Sequence, residues 1–201
     1  MVKIIIFDAD GMVINRGILP SEYFAKDWNI PLEKITSFFK NEFQLCKIGK
    51  ADTKESLKKY FPLWEWKGST DEFLDYWFKF DSNLNQEMLA NIKELKIRGI
   101  KCYLATNNEK YRTKYFENVL NFKNIFDGIF STCNIGYSKS QQKFWQTIYN
   151  QFGMPDKKSV LCWDNDEKNI KAAKNFGFSA ELYTSFNDYK NKINKYIKPS
   201  I

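Results

Sequence analysis

Residues 3–7, KIIIF, run straight into DADG at 8–11. An apolar run this short, with no polar alternation, has no face to offer to water. It reads as a strand covered on both sides, as in the interior of a parallel sheet. Asp8 and Asp10 then stand at the end of that strand, and Gly11 lets the chain turn away. Two carboxylates so close together beside a buried strand carry desolvation and like-charge costs that a simple turn does not call for. The pair predicts a working site at the carboxyl end of the first strand.

Beyond Gly11 the pattern changes. Helical segments are predicted over 20–28, 31–45, 52–61 and 69–80. Ser69 with Glu72 fits the S-x-x-E start signal, and Asp52 with Glu55 its acidic variant. Phe73, Leu74, Trp77 and Phe78 share one face of the last of these helices. No strand interrupts the stretch, which reads as a helical bundle inserted after the first strand. From about residue 84 helices and strands alternate. A stripe of Met88, Leu89, Ile92 and Leu95 ends at Gly99, and strands are predicted over 100–105, 125–132, 159–163 and 178–183. Helices at 109–120 and 167–176, a stripe at 144–152 and a Lys-rich last helix separate or follow them. The expected fold class is α/β, a doubly wound parallel sheet with a helical insertion. The expected division is a core of 1–16 and 84–201 with an inserted unit of 17–83.

Composition narrows the function. Hydrophobic residues make up 43% and aromatics 17% of the 201 residues, which supplies a sizeable core and argues against disorder. The net charge of +7 would suit nucleic acid, an acidic surface or a small anionic substrate. The lysines are dispersed singly or in pairs, with no block of five, so no nucleic-acid partner is expected. There is no histidine, and the four cysteines form no C-x-x-C pair, which leaves little room for a zinc site or Cys/His catalysis. No stretch approaches the ~18–20 apolar residues of a membrane span. The opening apolar run is too short for a secretion signal and is cut by Asp8. A cytoplasmic protein without a membrane partner is expected.

In doubly wound sheets ligands bind beyond the carboxyl ends of the strands. There the chain places Asp8 and Asp10, then Thr106-Asn107-Asn108, then Gly136-Tyr137-Ser138-Lys139, then Asp164-Asn165-Asp166. Each cluster falls at the same predicted edge, which carries more weight than any one of them. Taken singly, Asp166 reads as the N-cap of the next helix. Oxygen ligands without His or thiolate suit Mg²⁺. A carboxylate can attack phosphorus, and a second carboxyl can protonate the leaving oxygen and later activate water. A hydroxyl and a Lys can hold the phosphoryl oxygens as charge shifts.

These residues, in this order, resemble the haloacid dehalogenase-like (HAD) superfamily over about residues 3–185. FDADGMVI is similar to its first motif, LATNN to its second, SKSQ after Gly136 to its third, and CWDNDEKNI to its fourth, often written DDxxxN. The insertion is similar to the helical cap of the phosphatase-like members, and CKIGKADTKESL to a Gly-containing turn between cap helices. The resemblance implies Asp8 as nucleophile and metal ligand, and Asp10 as general acid/base with its carbonyl on the metal. It implies that Thr106 and Asn107 hold the phosphoryl group, and that Lys139 stabilises its charge. Asp164 and Asn165 would complete the Mg²⁺ site. The implied activity is Mg²⁺-dependent hydrolysis of a small phosphate monoester, such as a sugar phosphate, through an aspartyl-phosphate, with a small phosphorylated metabolite as partner.

Two positions depart from the motifs. Asn165 stands where the family often has the acid that ligates Mg²⁺, and Ser140-Gln141-Gln142 replaces the usual Pro-Asp-Pro after the Lys. Several readings stay open: a phosphomutase or other HAD-type activity, or a catalytically weak phosphate-binding protein with a degenerate metal site. A dehalogenase would not need Asp10. A response-regulator receiver would gather its acids, Thr and Lys in another order. In the insertion, Lys47 and Lys50 are candidates to meet a leaving group, and Trp77 and Phe78 are expected in its core.

Overall fold

The N-terminal apolar run forms β1 (Ile4–Asp8) at the centre of a five-stranded parallel sheet. A computed structural model describes residues 1–197 of the chain; the expected core range of 84–201 runs past them into 198–201, which lie outside the described residues. After β1 come α1 (Pro20–Asp27), α2 (Leu32–Lys40), α3 (Glu42–Lys47), α4 (Thr53–Trp64) and α5 (Thr70–Phe80) without an intervening strand. Alternation follows, through α6 (Gln86–Ile97), β2 (Lys101–Thr106), α7 (Lys110–Asn118), α8 (Phe122–Ile125), β3 (Gly128–Ser131) and α9 (Thr132–Ile135). It ends with α10 (Gln142–Gln151), β4 (Val160–Asp164), α11 (Glu167–Phe176), β5 (Ser179–Leu182) and α12 (Phe186–Ile193).

The strand order is β3-β2-β1-β4-β5, every pair parallel. The chain lays β2 and β3 on one side of β1, then crosses to lay β4 and β5 on the other. The order therefore reverses between β1 and β4, and a crevice opens beyond their carboxyl ends. Register brings the polar ends together: Asp8 pairs with Ala105, Phe7 with Trp163, and Thr106 with Ser131.

Alternation across the pleat decides what each β1 residue meets. Ile5 and Phe7 pack with Met88, Ile92 and Leu95 of α6, Phe116 of α7 and Tyr189 of α12. Ile6 packs on the other face with Phe144, Trp145 and Ile148 of α10 and Ala173 and Phe176 of α11. Both faces are covered, as a strand with no polar alternation requires.

The insertion holds itself together with aromatics. Phe24, Phe38, Leu57 and Phe73 are fully buried in a cluster separate from the two that flank the sheet. Phe73 lies at its centre, with ring centroids 4.5 Å from Phe24, 5.6 Å from Trp64 and 5.8 Å from Trp66. The two chain crossings into it lie side by side: Asn15 N–H donates to Asn83 O at 2.7 Å and Asn85 N–H to Val13 O at 2.9 Å. The start signals act as expected. Ser69 and Glu72 form a reciprocal capping box, and Asp52 accepts from the N–H groups of Lys54 and Glu55.

Two elements differ from the sequence expectation. The helix expected over 31–45 breaks at Asn41, whose φ of −111° and ψ of −89° leave the helical region. Asn is a weak helix former, and here it ends α2 and opens α3, with its Nδ2 donating to Ser37 Oγ at 3.4 Å. The strand expected over 125–132 begins only at Gly128. Phe122–Ile125 closes a helical turn instead, because Phe122 and Phe126 are both drawn into the core beside Phe116.

Phe73→Ala would leave a hole at the centre of the aromatic cluster. It is expected to cost about 3–5 kcal/mol, read as a lowered urea midpoint with an unchanged slope.

Candidate active site

Three side chains meet where β1 and β4 end and the α9–α10 loop returns. Lys139 Nζ lies 2.5 Å from Asp8 Oδ1, 2.7 Å from Asp164 Oδ2 and 3.2 Å from the carbonyl of Ala105. Lys139 is 2% exposed, Asp164 3% and Asp8 6%. The loop that delivers Lys139 leaves α9 through Gly136 at φ +84°. It is pinned on both sides, since Asn107 Oδ1 accepts from Lys139 N–H at 3.2 Å and Trp145 Nε1 donates to Lys139 O at 2.7 Å.

One ammonium serves two buried carboxylates. Burial, then the Asp164 charge, pushes Asp8 up to about 7 against the pull of Lys139. Burial works against the Lys139 charge too, but Asp164 and Asp8 outweigh it and hold the ammonium above its usual range. The trio therefore retains excess negative charge at the crevice floor. Asp8 Oδ1 also accepts from Ala9 N–H at 2.8 Å, while Oδ2 has no partner among the described residues.

Asp10 stands higher in the crevice, its side chain 45% exposed. Asn108 Nδ2 donates to its Oδ2 at 2.6 Å and to Thr106 Oγ1 at 2.7 Å. Arg112 of α7 approaches its Oδ1 at 3.6 Å. Of the expected phosphoryl-holding pair, Asn107 lines the crevice, whereas Thr106 ends β2 buried, its Oγ1 accepting from Asn108, and does not line it. Asn108 and Arg112 were not expected from the sequence. Asn108 is the third residue of a run already singled out. Arg112 carried a signal only in its i,i+4 spacing to Phe116, which puts a cation on the buried face of a helix.

The expected metal ligands divide. Asp164 accepts from Lys139, from Asn169 Nδ2 at 3.1 and 3.2 Å and from Asp166 N–H at 2.9 Å, so its carboxylate is spent on positioning. Asn165 instead reaches the crevice, and its Nδ2 donates to the Asp10 carbonyl at 3.2 Å. Gly11, at φ +95°, makes this possible: a Cβ there would lie 2.0 Å from Asn165 Nδ2. The two ends of a carboxamide are alike in shape, so a half turn exchanges that N–H₂ for an oxygen. Asp8 Oδ2, the Asp10 carbonyl and the Asn165 amide oxygen then form an oxygen donor set beside the excess negative charge. That set fits Mg²⁺, which takes one or two carboxylates and fills its shell with water and phosphate. Asp166 caps α11, as expected, by accepting from Lys168 N–H at 2.8 Å.

The crevice opens into a cleft of about 670 Å³ between the sheet edge and the insertion. Phe39, Phe43, Lys47 and Trp77 line it from the insertion side. Trp77 belongs to the aromatic cluster and also donates from Nε1 to Asp81 Oδ2 at 2.8 Å. Lys47 is half-buried, and burial and then the Lys139 charge lower its pKa. The turn after it docks on the core: Thr132 Oγ1 donates to Lys47 O at 2.6 Å, and a Cβ on Gly49 would lie 2.4 Å from Cys133 O. Lys50, the other candidate, is exposed and does not line the cleft.

Sheet, crevice and insertion together define a Rossmann-like α/β enzyme core. Residues 5–181 match the model of the haloacid dehalogenase-like hydrolases, and the chain belongs to that family. None of the curated proteins matches the sequence significantly. Among solved structures, it resembles a predicted HAD-like family hydrolase from Porphyromonas gingivalis, with a TM-score of 0.82 and 17% identity over the whole of both chains. It also resembles a HAD-family enzyme from Bacteroides thetaiotaomicron in complex with magnesium and inorganic phosphate, with a TM-score of 0.75 and 16% identity over 95% of this chain and 98% of that one. An L-2-haloacid dehalogenase from Xanthobacter autotrophicus, with chloropropionic acid covalently bound, aligns at a TM-score of 0.64 and 16% identity over 97% and 83% of the two chains. At such identities the likeness is one of fold.

Lys139→Met would leave Asp8 and Asp164 facing each other without a cation. A loss of about 3–5 kcal/mol is expected near neutral pH. A carboxyl whose pKa is raised by folding loses stability as pH rises from its unfolded value through its folded one. The deficit in metal-free buffer should therefore be larger at pH 8 than at pH 5, as read by urea unfolding at both.

Proposed function

We propose that this chain is a Mg²⁺-dependent phosphatase acting on a small phosphate monoester through an aspartyl-phosphate. The observation that carries the reading is the state of Asp8: buried, held at Oδ1 by Lys139, and open at Oδ2 toward a cleft that also holds Asp10. Asp8 attacks phosphorus; the bond from phosphorus to the leaving oxygen breaks, and that oxygen takes the proton of the Asp10 carboxyl. Asp10, now a carboxylate, draws a proton from water as the water oxygen attacks phosphorus. The Asp8–phosphorus bond breaks, releasing phosphate and restoring both acids. Thr106 Oγ1 and Asn107 hold the phosphoryl oxygens, the charge of Lys139 stabilises them from its place on Asp8, Asp164 and the Ala105 carbonyl, and Asp164 with Asn169 keeps Lys139 aimed at Asp8. When bound by Asp8, the Asp10 carbonyl and Asn165, Mg²⁺ supplies positive charge against the phosphoryl oxygens and the excess charge of the trio.

Residues 17–83 act in this reading as a cap on a core of 1–16 and 84–201. Its separate aromatic cluster and paired crossings support that division, and the volume of the cleft suits a small phosphorylated metabolite. Lys47 would meet the leaving group. A cytoplasmic setting accords with four cysteines that are all free, and no helix among the described residues is long and apolar enough to cross a membrane. The dehalogenase reading is the weaker one, because it gives no task to Asp10 or to the donors that hold it.

Wild type and Asp8→Asn, assayed with Mg²⁺ on sugar phosphates, nucleotides and an aryl phosphate, test the reading. Turnover of at least one ester is expected in wild type and should fall by at least about a thousandfold in Asp8→Asn. No turnover above that variant on any ester would defeat the proposal. Asn165→Asp adds a charge to the donor set and should lower the Mg²⁺ concentration for half-maximal rate by roughly tenfold; an unchanged requirement would remove Asn165 from the ligand set.

A further inference from the structure

We infer that Arg112 is a positioning residue through which the seating of the helical insertion sets the orientation of Asp10. The inference rests on the acid/base role given to Asp10 above.

Arg112 is 2% exposed, near the start of α7. Its guanidinium lies against the ring of Phe116 at 4.7 Å, with Phe78 at 5.3 Å and Tyr115 at 5.6 Å. A cation so far from water needs acceptors and a counter-charge. Among the described residues the carboxylate within ion-pair distance is Asp10, at 3.6 Å. The remaining acceptors are Phe78 O at 2.9 Å, Ser82 Oγ at 3.4 Å and the carbonyl of Asp81. All three lie at the end of α5 and just past it, where the chain leaves the insertion for the core.

One guanidinium therefore rests on a core helix, binds the exit of the insertion and faces Asp10. The carbonyls it binds belong to a helix C-terminus, which lacks intrahelical donors and favours a cation. Drawing the end of α5 away would break those bonds and release the group that faces Asp10. Asp10 is half exposed, so packing does not orient it; Asn108 at one oxygen and Arg112 at the other do. The competing reading is that Arg112 merely caps α5. In that case its contact with Asp10 is incidental and its loss acts on stability alone.

Leaving-group dependence separates the two. The proton from Asp10 matters to a basic alkoxide leaving group and little to a nitrophenolate, which departs unaided. Wild type, Arg112→Lys, Arg112→Gln and Arg112→Ala are compared on an alkyl phosphate and on 4-nitrophenyl phosphate, each also combined with Asp10→Asn. Arg112→Ala should lower kcat/KM, which reads the step that expels the leaving group, at least about tenfold more for the alkyl ester than for the aryl ester. Arg112→Lys, which keeps the charge but not the fork, should fall between. In the Asp10→Asn background the substitution should add less than about twofold, since residues acting as a unit are not additive. Where Arg112→Ala does not fold, Arg112→Gln carries the same comparison, as it still donates to the α5 carbonyls without charge.

Equal losses of kcat/KM on both esters, or full additivity with Asp10→Asn, would overturn the inference while leaving the phosphatase reading intact. A wild type silent on every ester overturns both, because Asp10 then has no proton transfer to perform.

Discussion

The ammonium of Lys139 between Asp8 and Asp164 is the contact around which the rest is arranged. Three nearly buried charges stand at the carboxyl edge of a sheet, and each makes the others tolerable. Their supports come from four separate places. β1 and β4 supply the acids, the carbonyl of Ala105 in β2 takes a third ammonium proton, and the loop before α10 supplies the lysine. A parallel sheet whose strand order reverses at β1 brings these ends together without any long excursion of the chain. The fold thus serves electrostatics first: it holds two carboxylates in a dry site with one cation, leaving negative charge that a divalent ion can offset.

Besides the Lys47 turn on α9, the insertion is seated on the first turn of α7. Glu109 caps α7 by accepting from the N–H groups of Tyr111 and Arg112, and its carboxylate also takes the hydroxyl proton of Thr53 in α4 at 2.7 Å. Tyr111 Oη donates to Asp52, the cap of α4, at 3.0 Å, and Arg112 holds the end of α5. The same first turn of α7 therefore receives the start of α4 and the end of α5 and adjoins Asp10. Apolar packing keeps the insertion intact, and its seat on α7 adds these buried polar contacts to the packing of Phe78 on Tyr115, whose ring centroids lie 5.4 Å apart.

Much of this was legible in the chain. Apolar runs without alternation located the strands, and a consistent edge for the polar clusters located the site, because a parallel sheet sends every strand the same way. The Ser69–Glu72 and Asp52 signals marked true helix starts, and Asp166 capped α11 as its place before the helix suggested. The illegible parts depend on contacts between distant residues. Asn41 breaks a helix that periodicity alone would continue. Asp164 turns its carboxylate to Lys139 and Asn169, leaving Asn165 beside the Asp10 carbonyl. Arg112 has no local mark of importance, since its partners are thirty and a hundred residues away.

By itself the sequence determined which residue types stand at the end of each strand, because pleat alternation and turn chemistry are local and act within a few residues. It also determined that the candidate site lacks histidine and thiolate pairs and is built from carboxylates, amides and a lysine. Tertiary structure decided which of those carboxylates keeps an oxygen without a partner among the described residues. Asp8 keeps an open oxygen and Asp164 does not, though both end a buried strand. The difference comes from where Asn169 and the Asp166 amide lie once α11 packs, and no reading along the chain measures that distance.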